Sequence, residues 1–469
     1  MDMEKYWKQI LFFGAILAVY CFGVAPDMTY VSQAGDMFWW VPCAKNMWAA
    51  PLGGYPTYIM LGWVFERLPF NEFWNLGLLS ALSAVGTCFF VYLIVGKLTI
   101  SKWTPYIGAA TCAGAFMFWT QAVVPEVYTF TMLLAVAMTY FVLTKHYYIA
   151  AGIGALSLGT HHLVGFAIIP LLVYTFYKTR DGKQLVKVVG IISLGLLAYL
   201  QTYLCFGPWA TPAASNFRGL ALIGGLPLSM TLDKLRDFVP VMVVSVGTGL
   251  ALLPFLKRSP EVILIGLIVA GSAGHYFFSN VSGWTCYLAF PVVFMAILVG
   301  LGAENFPYKK LVPVFLIAPL IMVGVNFQTY DIGRTIDPEP TVFRQAYTQI
   351  EEHSRTNGLE PNTLLISTKD MESMACYYLR FNEKTFNHLP IGFIWWKGDN
   401  QDNCREDLLK EGILLPKDLG PYGENTGWWD HEAFLKEMCR LNPGINIYFG
   451  TSEGTWDDKE SSISLVSGR

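Results

Sequence analysis

Among the stretches of this chain with no Lys, Arg, Asp or Glu are residues 9–26, 73–96, 103–125, 127–144, 146–177, 188–217, 238–256, 262–303 and 311–330. A bilayer's hydrocarbon core is about 30 Å thick and a helix rises 1.5 Å per residue, so about 20 apolar residues cross it. In lipid, each backbone N–H and C=O must be bonded within the segment, which makes such runs helices. Apolar residues fill 54% of the chain and charged residues 14%, against about 25% charged in soluble domains.

Two of the runs are too long for one crossing. The 262–303 run can turn at Ser279-Asn280-Val281-Ser282-Gly283, and the 146–177 run at Gly159-Thr160-His161-His162. Splitting both gives about eleven helices. Alternate ends then carry Lys5/Lys8, Lys97/Lys102, Lys145, Lys178/Arg180/Lys183/Lys187, Lys257/Arg258 and Lys309/Lys310, while the opposite short turns near 121–126, 159–163 and 279–283 carry no Lys or Arg. By the positive-inside rule the N-terminus is cytoplasmic and the C-terminus outside. Gly23-Val24-Ala25 suits a signal-peptidase site, but Asp2 and Glu4 in the leader favour an uncleaved first helix.

Charge divides the chain in two. Residues 1–329 hold 18 Lys and Arg against 12 Asp and Glu; residues 330–469 hold 14 against 23. The expected organisation is a transmembrane domain over 1–329 and an extracytoplasmic α/β domain over 330–469. An acidic second region excludes nucleic acid as a partner. The outer loop 27–72 carries Trp39, Trp40, Trp48 and Trp63 among apolar residues, which suits helices lying at the membrane interface. In the tail the pattern predicts helices over 341–357, near 370–381, near 405–411 and over 430–441, with strands at Thr363–Ser367 and Ile445–Phe449.

The nine cysteines form no CxxC pair and no zinc spacing. Of the three in the tail, Cys376, Cys404 and Cys439, one pair can bridge if the tail is extracellular. There is no phosphate-binding GxxxxGK[ST] loop and no dinucleotide GxGxxG, so no motif calls for a nucleotide or another cofactor.

Ionisable groups at membrane depth are costly and therefore candidates for function. Asp36, among aromatics ten residues after the first helix, suits a general base or the N-cap of the next helix. Glu126, after Pro125, suits a site carboxylate or simple helix-dipole stabilisation. His161 and His162, at the apex of two short helices, suit binding of a phosphate, orientation of a carboxylate, or hydrogen bonding to backbone at a helix break. Arg218, Lys234 and Arg236 in the outer loop 208–237, with Lys45 and Arg67 in the first, suit a grip on a lipid phosphate or plain surface charge.

These residues sit in blocks that resemble the GT-C superfamily, polytopic glycosyltransferases that take sugar from a polyprenyl-phosphate carrier. Within it the chain is similar to a large prokaryotic family whose vertebrate relatives are protein O-mannosyltransferases. The likeness rests on Asp36 followed by Gly54-Tyr55-Pro56, then Trp119, Gln121-Ala122 and Glu126-Val127-Tyr128, then Gly159-Thr160-His161-His162-Leu163, in the family's order and at similar spacing. It covers residues 10–175 clearly, and thins through Tyr287-Leu288-Ala289-Phe290-Pro291 to Asn326 and 364–379. The chain departs from that pattern at Trp39, where the family often has a second acid, and at Pro51-Leu52-Gly53, where it often has His-Pro-Pro.

The resemblance implies an inverting glycosyltransferase in a prokaryotic cytoplasmic membrane. Asp36 and Glu126 would be its catalytic acids, with Tyr55, His161, His162, Arg218, Lys234 and Arg236 around the substrate phosphate. The donor would be a polyprenyl-phosphate-linked mannose or related hexose, the acceptor a protein or glycan hydroxyl. Two other readings stand beside it: a transporter or flippase of a lipid-linked glycan, and a non-catalytic partner in an envelope complex.

Overall fold

The computed structural model describes residues 3–25, 37–50, 54–205, 228–278, 285–329, 363–367, 387–390, 431–443, 445–453 and 460–465. Contacts divide the chain into two compact units, Met1–Pro338 and Glu339–Arg469.

Helices of the first unit follow the apolar runs and stop where charge, proline or glycine intervenes. In chain order they are α1 (Met3–Gly23), α2 (Met37–Asn46), α3 (Pro56–Phe65), α4 (Glu72–Leu98), α5 (Thr104–Gly114), α6 (Phe116–Ala122), α7 (Val127–Leu143), α8 (Tyr147–Leu158), α9 (Gly165–Thr179), α10 (Gly182–Leu194), α11 (Leu200–Leu204), α12 (Leu228–Val246), α13 (Pro260–Phe278), α14 (Ala289–Asn305) and α15 (Ile317–Thr329). Tighter 3₁₀ turns extend several of them. Starts are capped in the expected way: the Asn71 side chain accepts from Phe73 N at 2.8 Å, and Asp181 accepts from Lys183 N at 2.9 Å and Gln184 N at 3.2 Å.

Eight of the helical segments among the described residues are long and apolar enough to cross a bilayer, or nine if the pair Phe116–Ala122 and Val127–Leu143, bent by 114°, counts as one span. The sequence-based count of about eleven takes α8, of 12 residues, as a crossing, and takes the run 103–125 as another, where the chain forms α5, of 11 residues, and α6, of seven. Burial confirms the solvent. Ile169, Val173, Val186, Leu196, Leu204 and Leu320 are exposed on outward faces. Core helices sit inside a ring of such apolar surfaces: 94% of Cys286–Asn305 is buried, against 6% of Tyr6–Gly23. This inverts the soluble pattern, and the chain is an integral multi-pass membrane protein.

Helix α4 packs on α5 and α7, α7 on α8, and α14 on α5 and α13. Asn326 of α15 is buried and donates to Gly114 O at 3.0 Å, at the end of α5. The helices between α1 and α4 are part of the packed bundle. α2 and α3 pack on each other and on α4, and Trp40, Val41, Cys43, Tyr58 and Ile59 are buried.

The second unit holds a four-stranded sheet in the order β2-β1-β3-β4. Its strands are β1 (Thr363–Ser367), β2 (Asn387–Pro390), β3 (Asn446–Glu453) and β4 (Glu460–Leu465), with helix α16 (His431–Leu441) leading into β3. β1 runs parallel to β2 and β3, pairing Leu364 with Asn387 and with Ile447, and β4 closes the edge antiparallel, pairing Tyr448 with Leu465. The helices predicted over 341–357, 370–381 and 405–411, with Cys376 and Cys404, lie outside the described residues. Cys439, on α16, is a free thiol.

Candidate functional site

The segment between α1 and α4 is fastened to two distant parts of the bundle. Thr57 N donates to Gly159 O at 2.9 Å, Ala49 N to Cys205 O at 2.9 Å, and Gln201 Nε2 to Met47 O at 2.8 Å. Between these ties the backbone turns through Gly54 (φ 70°) and Tyr55 (φ 45°, ψ 48°), both left-handed. Glycine is required at 54 twice over. The φ is positive, and a Cβ there would run into Thr202. Tyr55 has no such licence, and a non-glycine residue held left-handed costs of order 1 kcal/mol or more. The strain is compensated by placement: the Tyr55 ring stacks on His161 (centroids 5.9 Å apart, 26° between planes) and meets the edge of Trp40 at 4.9 Å.

Glu126 stands where the chain breaks between α6 and α7. It is 1% exposed and is the N-cap of α7, its Oε2 accepting from Val127 N at 3.3 Å. The same oxygen accepts from Trp40 Nε1 at 3.3 Å. Its backbone is held by one side chain of α4: Ser80 Oγ accepts from Glu126 N at 3.1 Å and donates to Glu126 O at 3.2 Å. One carboxylate thus caps α7 and also holds Trp40 of α2. Tyr58 of α3 is buried beside it; burial first, then the charges of Glu126 and Glu66, push its hydroxyl well above the usual phenol range.

The His-His turn faces the same cluster. His161 is 4% exposed, and its Nδ1 accepts from Leu163 N at 3.2 Å, capping the 3₁₀ turn His162–Val164. That bond places the ring proton on Nε2. Rings of Tyr128 (5.0 Å), Tyr287 (5.6 Å) and His162 (4.1 Å) surround it. Burial, then the neighbouring His162 and His275, hold His161 neutral well below the usual imidazole range. Gly159 cannot be replaced here, because a Cβ would strike Thr57.

His162 is exposed, and its Nε2 lies 3.1 Å from Nε2 of His275, on α13. His275 is a site residue that the pattern reading passed over. Its signal was present, as an imidazole near the middle of the otherwise charge-free run 262–303. Next to it, Tyr276 O accepts from the buried Lys234 Nζ at 3.0 Å, and the lysine's charge reaches His275.

Tyr55, Glu126, His161, His162 and Lys234 are thus brought together, with Trp40, Tyr58, Tyr128, His275 and Tyr287 added. The expected loop position of Lys234 and Arg236 is corrected: both lie on α12, which begins ten residues before the apolar run at 238 that the sequence reading took as its start. Helix α12 is amphipathic at its beginning, so charge did not end it. Arg236 is exposed and, among the described residues, makes no ion pair. Lys45 pairs with Glu72 at 3.2 Å, and Arg67 covers the Trp63 ring at 4.2 Å, so both first-loop cations are engaged locally. Asp36 and Arg218 lie outside the described residues. Trp119 packs in the core against Tyr20 at 5.1 Å. A second first-loop acid, Glu66, is half-buried; burial, then repulsion from Glu72, pushes its carboxyl up to about 8. Among the described residues no three His, Cys, Asp or Glu side chains are grouped to hold a metal ion.

The architecture is that of a multi-pass helical membrane protein with its polar residues gathered at one cluster of loops and helix ends. No protein-family model matches the sequence, and a comparison with curated proteins finds no match. Solved structures do. ArnT from Cupriavidus metallidurans in the apo state matches with a TM-score of 0.62 and 13% identity, over 96% of this chain and 94% of that one. The same protein bound to undecaprenyl phosphate matches with a TM-score of 0.62 and 12% identity, over 98% of both chains. The Archaeoglobus fulgidus oligosaccharyltransferase tethered with an acceptor peptide matches with a TM-score of 0.53 and 14% identity, over 96% of this chain and 69% of that one. This chain shares the fold of these solved proteins.

Proposed function

We propose that this protein is an inverting glycosyltransferase that moves a sugar from a polyprenyl-phosphate carrier to a hydroxyl on the non-cytoplasmic face. One observation carries the reading. Three sequence-distant blocks, Trp40 with Tyr55, Glu126, and His161 with His162, meet in one continuous set of ring and hydrogen-bond contacts. The neighbours support it, since ArnT is seen with undecaprenyl phosphate and the oligosaccharyltransferase with an acceptor peptide.

The acceptor hydroxyl attacks the anomeric carbon, its proton passing to Asp36, while the bond from that carbon to the carrier's phosphate oxygen breaks. Tyr55, His161, His162 and Lys234 serve the departing phosphate, and the positive charges of Arg218 and Arg236 are assigned to it as well; buried Glu126 orients the acceptor side through Trp40. Aromatic rings in the cluster suit a neutral hexose such as mannose, and a protein or glycan hydroxyl suits the acceptor side. The accompanying topology has eleven crossings, a cytoplasmic N-terminus and the region 330–469 outside a prokaryotic cytoplasmic membrane. Purified protein and its Asp36→Asn variant, assayed with a labelled polyprenyl-phosphate sugar, test the assignment. Transfer by the wild type that the variant retains in full removes Asp36 as the base.

A further inference from the structure

The contact between His162 and His275 has a chemical consequence. Two imidazoles whose Nε2 atoms lie 3.1 Å apart form a hydrogen bond only when one nitrogen carries the proton and the other offers its lone pair. A first added proton goes to the free Nδ1 of the donor ring, and the positive charge is shared across the bond between the two rings. A second would set two cations in contact, so the pair, neutral at rest, can take up one proton and no more. Its surroundings set the resting state. Lys234, buried behind it, brings a positive charge that favours the neutral pair. The other titratable neighbours are Tyr287, whose ring touches both imidazoles, and His161, which touches His162 and already spends Nδ1 on Leu163 N. Phe166 covers the remaining face of His275 at 5.2 Å. His162 itself is exposed, so an anion can reach the pair.

From this arrangement we infer that His162 and His275 form a proton-donating anion site that receives the phosphomonoester released by the transfer. The inference rests on the proposed function, which supplies that leaving group. In the donor the phosphate is a diester with one negative charge. When the sugar's anomeric carbon–oxygen bond breaks, the electron pair stays on the phosphate oxygen, whose second ionisation falls near pH 6. The acceptor's proton has gone to the base. The arriving anion draws one proton from solvent onto the pair, and the pair passes it to the new phosphate oxygen and returns to its neutral state. Lys234 remains charged and holds the product until it leaves.

The test is calorimetric titration of a short-chain polyprenyl phosphate into the full-length protein in nanodiscs, in two buffers of different ionisation enthalpy. Wild type takes up about one proton more on binding than His275→Gln or His162→Gln does. Its affinity also falls more steeply above neutrality, approaching tenfold per pH unit, while both variants stay folded by thermal melting. Binding with equal proton uptake in wild type and variants overturns the inference and leaves the transferase reading standing. Absence of any binding by the wild type overturns both.

Discussion

Trp40 donates its indole N–H to Oε2 of Glu126 at 3.3 Å, across 86 residues of sequence, and both side chains are buried. This contact joins α2 to the start of α7. Trp40→Phe keeps ring contact with Tyr55 and Tyr58 but removes the donor. A hydrogen bond to a charged group is worth about 1.5–3 kcal/mol. Thermal unfolding should show a loss of that size, and transfer should fall at least tenfold. In a double-mutant cycle with Glu126→Gln the two losses should be markedly less than additive.

Ser80 holds both the N–H and the C=O of Glu126, at 3.1 and 3.2 Å. Ser80→Ala leaves two buried backbone groups short of a partner and should cost about 1–3 kcal/mol. The variant should lose activity in parallel with stability, since the carboxylate loses its anchor. Unchanged melting and unchanged transfer would show that Glu126 is positioned by other means.

Gly54→Ala meets two obstacles, a φ of 70° and the side chain of Thr202. Thr202→Ala removes only the second. The single Gly54→Ala variant should be strongly destabilised, and adding Thr202→Ala should recover part of the loss and not all of it. Full recovery would mean that the backbone at Gly54 relaxes freely.

Glu66 gives a pH signature. Its folded carboxyl titrates near about 8, above an unfolded value of about 4.3. The unfolded chain therefore loses this proton first, and the buried site costs stability that grows as pH rises from about 4.3 to about 8 and then levels off. Glu66→Gln should melt with the wild type at pH 4.5 and several degrees above it at pH 8.5. A difference that is constant with pH would contradict the buried, neutral carboxyl.

Much of the membrane fold was legible because charge-free length is decisive in lipid. The stretch at 73–96 became α4, and the break at Pro125-Glu126 became a bend of 114°. The His-His turn was legible for the same reason, since Gly159 ends α8 and His161 caps the 3₁₀ turn that leads into α9. Lys234 and Arg236 were misplaced because charge was taken to end a helix, whereas α12 runs unbroken through the charged stretch 233–237. His275 was missed because a single imidazole does not interrupt an apolar run, and only packing brings it to His162. In the second unit, β2 and β4 were illegible: one is four residues ending in proline, the other a serine-rich edge without apolar alternation.

The central claim is that this cluster transfers sugar from a polyprenyl-phosphate donor. Its most direct test is release of polyprenyl phosphate from a panel of labelled polyprenyl-phosphate hexoses, in proteoliposomes of wild type, Glu126→Gln and His162→Gln. The account predicts donor consumption with an acceptor-linked product by the wild type, reduced at least a hundredfold in Glu126→Gln and at least tenfold in His162→Gln. Equal donor consumption by all three proteins would contradict it.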